Sequence, residues 1–118
     1  MKRINLLLSL TLLLFISCKK KDTLSTTPVA FIPDCTGTTP TYAATVGPLI
    51  SSKCATSGCH ANGSSNGPGA LTTYSQVKNA SATVRSSVIN ATMPKNNTLT
   101  AVEKNTIICW IDAGAINN

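Results

Sequence analysis

The chain has 118 residues, with ten Lys and Arg against four Asp and Glu, one histidine and five cysteines, and a formal net charge of +6. That length holds one small domain, near the size at which a single apolar core needs help from a cross-link or a cofactor. Few aromatics and no basic stripe argue against a nucleic-acid partner, and part of the charge is local, in Lys2, Arg3 and the block Lys19, Lys20 and Lys21.

Residues 1–17 read as an export signal and not as fold. "MKR" is a short positive start, and "INLLLSLTLLLFI" is an apolar run of signal length, short for a bilayer-spanning helix. The segment ends "LFISC", where Ser17 precedes Cys18, the pattern of a lipobox in which the cysteine receives a diacylglyceryl group. The alternative is an ordinary secretory signal followed by a stray cysteine. Lipidation at Cys18 leaves a mature chain of 101 residues with a charge of about +4. It also explains an odd cysteine count, which in an exported protein flags a specially used thiol. Lys19 in place of aspartate is compatible with sorting to the outer membrane, facing the periplasm or the cell surface.

From Cys18 to Pro40 the chain is rich in Thr, Ser, Pro and Lys and has neither helical nor strand period. It reads as a tether whose last part, around Phe31 and Cys35, can be pinned to a domain spanning residues 41–118. Four helices follow. The first covers Tyr42 to Cys54, with Val46, Leu49 and Ile50 on one face and Pro48 set to kink or delay it. A Ser, Asn, Gly and Pro loop from Ala61 to Gly69 precedes a short helix from Thr72 to Lys78 and a third from Ser81 to Asn90. The last helix is the best marked: "TAVE" at Thr100 to Glu103 is a capping box, Val102, Ile107, Ile108 and Ile111 form a stripe, and Gly114 offers a stop. The fold class is therefore all-α, with connections long enough to imply that something other than protein fills the middle.

The stretch "CATSGCH" carries the chemistry. Cys-x-x-Cys-His is the attachment sequence of haem c, in which two thiols add to the haem vinyl groups and the adjacent histidine meets the iron. Here Cys54 and Cys59 are separated by four residues, and the part around Thr56, Ser57 and Gly58 can loop out without moving either sulfur. Two rival readings are a local Cys54–Cys59 disulfide and a zinc site made by Cys54, Cys59, His60 and a remote cysteine. The second lacks the further Cys/His pair usual for zinc, and exported thiols tend to oxidise. His60 is the single histidine, so bis-histidine ligation within the chain is impossible. Beyond the signal, Met93 is the single methionine, standing in "NATMPKNN" before the last helix, where Pro94 favours an extended conformation at Met93. Alone it would be core filler. With the upstream motif it is a candidate axial ligand, whose soft neutral thioether favours ferrous iron.

From about Tyr42 to Asn118 the chain resembles a small monohaem cytochrome c domain of class I type, in the bacterial lipoprotein subgroup. The resemblance rests on the Cys/Cys/His motif after a first helix, "LTTYSQV" from Leu71 to Val77, "MP" at Met93 and Pro94, and "WIDAGA" from Trp110 to Ala115. It implies a helical domain with long loops wrapped around one covalent haem c and an electron-transfer function without catalysis. It further implies thioethers at Cys54 and Cys59, His60 and Met93 as iron ligands, and Leu71, Tyr74 and Trp110 in the haem pocket. Tyr74, Trp110 or Arg85 would contact a propionate. The loop at Gly67 and Pro68 would hold the histidine Nδ1–H through a backbone carbonyl. Once haem takes Cys54 and Cys59, parity and an oxidising compartment point to a disulfide between Cys35 and Cys109; the alternative is two separate thiols, Cys109 buried and Cys35 exposed. A redox partner would dock transiently and the membrane would be reached only through the lipid. The alternatives are a peroxidase-like haem enzyme with a displaceable distal ligand, and a haem-free lipoprotein held by two disulfides.

Overall fold

The computed structural model of the protein describes residues 29–118. The signal segment, Cys18 and the start of the tether lie outside the described residues. Every regular element among the described residues is helical: a π-helical turn at Tyr42–Val46 continued by α1 (Gly47–Lys53), then α2 (Tyr74–Asn79), α3 (Ser81–Ile89) and α4 (Ala101–Asp112). No helix among the described residues is long and apolar enough to cross a membrane.

The single helix expected from Tyr42 to Cys54 is two pieces, and Pro48 explains the division. Pro48 lacks an N–H, so it can sit in the first turn of α1 but not inside a continuous helix. The preceding turn widens instead, with the Thr41 carbonyl accepting from both Thr45 N (3.2 Å) and Val46 N (3.1 Å). Gly47 is needed at the join. A Cβ there would lie 3.0 Å from the Tyr42 carbonyl oxygen and 3.3 Å from its ring. The Tyr42 ring also packs on Tyr74 (centroids 5.1 Å) and Trp110 (5.4 Å), so a side chain at position 47 would push an aromatic cluster apart.

Both later helix starts have a mechanism. At α4 the capping box is complete: Glu103 N donates to Thr100 Oγ1 at 3.2 Å and Thr100 N donates to Glu103 Oε2 at 2.8 Å. An equivalent box, missed above, opens α2, where Gln76 N donates to Thr73 Oγ1 and Thr73 N to Gln76 Oε1. The signal was present as "TYSQ" but lay one residue inside the expected start. At the other end of α4, Gly114 N donates to the Ile111 carbonyl and Ala115 N to that of Trp110, the paired bonds of a Schellman stop.

The core consists of Val46, Ile50, Val77, Ile107, Ile108 and Trp110, all fully buried, with Leu71, Val84, Val88 and Leu99 around them. α4 packs on α3 and on the π-helical turn. The expected α4 stripe is corrected at one place: Val102 is 74% exposed, and Trp110 takes the buried position. At about 100° per residue, Val102 lies about 140° around the helix from Ile107, away from the packed face. A salt bridge from Arg85 to Asp112 (2.6 Å) links α3 to α4 across the surface.

The packed chain reaches back beyond residue 41, into the span read as tether. Phe31 packs against the core, its N–H donates to the Ile89 carbonyl at 2.9 Å, and Asp34 N donates to Asn105 Oδ1 at 3.0 Å. Cys35 and Cys109 form a disulfide with a Cα–Cα distance of 5.4 Å. The Cys35–Cys109 pairing expected on parity is the one present.

Candidate functional site

Four pieces of chain surround one cleft of about 520 Å3. The end of α1 brings Cys54, the loop after it brings Cys59, His60, Pro68 and Leu71, α3 brings Val84 and Val88, and the α3–α4 loop brings Met93. The volume is that of a site for a sizeable organic ligand. The two charged residues among its walls are Lys53 and Lys95, both cationic. Lys53 also pairs with Glu103 at 3.4 Å, tying the cleft rim to the cap of α4.

The local path of "CATSGCH" follows from helix termination. Cys54 closes α1 by donating its N–H to the Ile50 carbonyl at 2.9 Å. Its own carbonyl then accepts from His60 N at 3.1 Å, so the six-residue step from Cys54 to His60 forms a closed backbone loop. Thr56, Ser57 and Gly58 are exposed on the outside of that loop. The four-residue gap therefore bulges outward, as the sequence reading required, and leaves both cysteines on the cleft.

Cys54 and Cys59 are free thiols. This departs from the local-disulfide reading and from a chain held by two disulfides. The zinc reading loses its fourth ligand, because Cys35 and Cys109 are joined to each other. No cluster of three or more His, Cys, Asp or Glu side chains able to hold a metal ion occurs among the described residues. Burial, and then the neighbouring Cys59 thiolate, push the Cys54 thiol up to about 11. The folded chain therefore favours neutral Cys54, a contribution fully present below the ordinary thiol range and lost as pH rises through about 11. With both thiols free, the chain is expected to lose stability between about pH 9 and pH 11. Cys54→Ala should flatten that part of a urea-midpoint-against-pH curve, and an unchanged slope would place the alkaline loss elsewhere.

His60 is the one buried polar residue among the described side chains, 6% exposed. Its Nδ1–H donates to the Gly69 carbonyl at 2.8 Å, so in the neutral ring Nε2 carries the lone pair. The carbonyl expected at Gly67 or Pro68 is thus that of Gly69, two or one residues later. Gly69 has φ +89, a conformation open to glycine that aims its carbonyl inward. Pro68 remains in the lining.

Three residues expected at the pocket are not brought to the cleft. Trp110 is fully buried in the core and its indole N–H donates to the Ile116 carbonyl at 2.9 Å. The Tyr74 hydroxyl donates to the Ala115 carbonyl at 2.9 Å. Arg85 is held by Asp112 through two hydrogen bonds, 2.6 and 3.0 Å, which raise its own pKa and lower that of the carboxyl. Each polar group expected to meet a propionate is already occupied by the protein. Conversely, Val84, Val88, Lys95 and Gly69 belong to the site and were not singled out for it. A periodic Val84–Val88 pair was visible on α3, but nothing local told which side of that helix faces a cavity.

Comparison of the chain with protein-family models, curated proteins and solved structures gave no match.

Proposed function

We propose that this domain is an electron-transfer monohaem c-type cytochrome, with haem held covalently in the cleft and the surrounding loops wrapped around it. One observation carries the reading: two free thiols, an imidazole with Nδ1 engaged and Nε2 bare, and a methionine line the same largely apolar cleft. These residues fit the group. Cys54 and Cys59 would hold it by thioethers, and His60 and Met93 would supply the nitrogen and sulfur that bind its iron. When bound, haem supplies one-electron exchange at iron.

The chain's own residues do the rest. The Gly69 carbonyl fixes the His60 tautomer and increases the basicity of its free nitrogen. Leu71, Val84 and Val88 exclude water, so a change of charge in the cleft meets little solvent reorganisation. Met93 offers a neutral, soft sulfur that favours the lower oxidation state. Lys95 at the rim would match the negative charge of the haem propionates, while Lys53 is already paired with Glu103. In the cell the domain would be tethered through lipidated Cys18 and meet a redox partner over a small, transient interface.

The test is expression in a periplasm supplied with cytochrome c maturation enzymes, followed by extraction with acidified acetone. Colour is expected to stay with the polypeptide, and the ferric spectrum should contain the band of thioether-to-iron ligation. A colourless folded protein would sink the haem reading. Covalent colour without that band would keep the cytochrome and remove Met93, favouring the peroxidase-like alternative.

A further inference from the structure

The loop from Ala61 to Ala70 has no regular structure, yet its hydrogen bonds converge on the two motif residues. The Asn66 side-chain amide donates to the Gly58 carbonyl at 3.0 Å and to the Cys59 carbonyl at 3.1 Å. The Cys59 carbonyl also accepts from Ser64 Oγ, which in turn accepts from Asn66 N at 3.2 Å. On its other side, the Asn66 carbonyl accepts from Gly69 N at 2.9 Å. Gly69 is the residue whose carbonyl receives the His60 Nδ1–H at 2.8 Å.

Asn66 thus touches both ends of one short path. Its side chain grips the backbone that carries Cys59 into His60, and its main chain grips the acceptor of the His60 ring. The segment between, Gly67 to Gly69, contains two glycines with φ of +51 and +89. Pro68 fixes one φ between them, but each glycine remains free to turn, so something must hold the Gly69 carbonyl at a set distance from the imidazole. The geometry points to Asn66 as the positioning residue for His60: it clamps the acceptor loop to the thiol-bearing loop and thereby sets the strength of the Nδ1–H hydrogen bond. It rests on the proposed function only in giving His60 the role of iron ligand.

An amide is suited to this place and a carboxylate is not. Two carbonyl oxygens converge on Asn66 Nδ2, and Asn supplies two donors there. Aspartate has the same shape but only acceptors, and would repel both carbonyls. Alanine removes the contact without repulsion.

The experiment uses the full, haem-loaded chain with Asn66→Ala and Asn66→Asp. Two quantities are read: hydrogen exchange of the His60 Nδ1–H and the reduction potential. Loss of one hydrogen-bond anchor is expected to speed exchange of that proton about tenfold. Weaker donation to Gly69 makes the imidazole a poorer donor to iron, so the potential should rise. The Trp110 indole N–H, bonded to Ile116 on the core side, should exchange as in the wild type.

Unchanged exchange of the His60 proton in both variants overturns the assignment, as does an Asn66→Asp chain that behaves like wild type. If neither variant keeps Trp110 protection, Asn66 is a general structural residue and the positioning role is withdrawn. A wild-type chain that takes up no covalent haem removes the proposed function instead, and the same exchange comparison on that chain still decides Asn66.

Discussion

Removing the Cys35–Cys109 disulfide, as Cys35→Ser with Cys109→Ala, is expected to lower the stability of the domain by about 4–5 kcal/mol. The two cysteines are 74 residues apart in sequence, so the cross-link closes a loop that takes in nearly the whole domain. In the chain-entropy account, closing a loop of that length restricts the unfolded ensemble by about this much. The folded side of the balance changes less. Cys35 is exposed, and Cys109→Ala removes only a sulfur from a site 7% exposed. A domain of this size has a total stability on the order of 5–10 kcal/mol, so the variant should be close to unfolding at physiological temperature. Urea denaturation of the wild type with and without reductant, and of the double variant, measures the loss. The midpoint shift should correspond to roughly 20 °C in Tm. A loss below about 1 kcal/mol would mean that the Phe31 packing and the Asp34–Asn105 hydrogen bond already hold the tether end, with the disulfide adding little.

The second large effect concerns Met93. If the proposed function is right, Met93→His should lower the reduction potential by on the order of 0.1 V, a fraction of the roughly 0.8 V that axial-ligand identity spans. The physical cause is the exchange of a soft neutral thioether for a stronger nitrogen donor, which favours the ferric state. In a haem-loaded chain, Met93→Ala should instead abolish the thioether band and admit added imidazole at far lower concentration. Met93 lines the cleft from a loop with no regular structure, so neither substitution disturbs a helix or the buried core. A potential that does not move in Met93→His would show that another group occupies that side of the iron.

Much of the helical frame was legible because its signals are local. The Thr100–Glu103 box and the Gly114 stop set the last helix to within a residue, since capping depends on side chains three positions apart. Where the expectation missed, the packing of one chain segment on another decided. Val102 is apolar and in a helix, but its outward side was set by where α3 and the π-helical turn pack. Tyr74 and Trp110 were placed at a pocket because their motif positions suggested it. Their hydroxyl and indole groups are used instead by the carbonyls of Ala115 and Ile116, in a C-terminal segment whose return path has no sequence pattern.

By itself the sequence determined the chemistry available to this protein: one histidine, a methionine ahead of the last helix, and two cysteines spaced so that a histidine follows the second. Residue type and spacing are covalent facts, and reactivity follows from them. Only the tertiary structure decided that Met93, 33 positions beyond His60, shares a cleft with it, that Gly69 is the acceptor for the ring, and that Asn66 bonds the Gly58 and Cys59 carbonyls on one side and Gly69 N on the other. Those outcomes depend on how glycine-rich loops close against packed helices. Such a loop has many conformations of similar local energy, and contacts made across the whole chain select one of them.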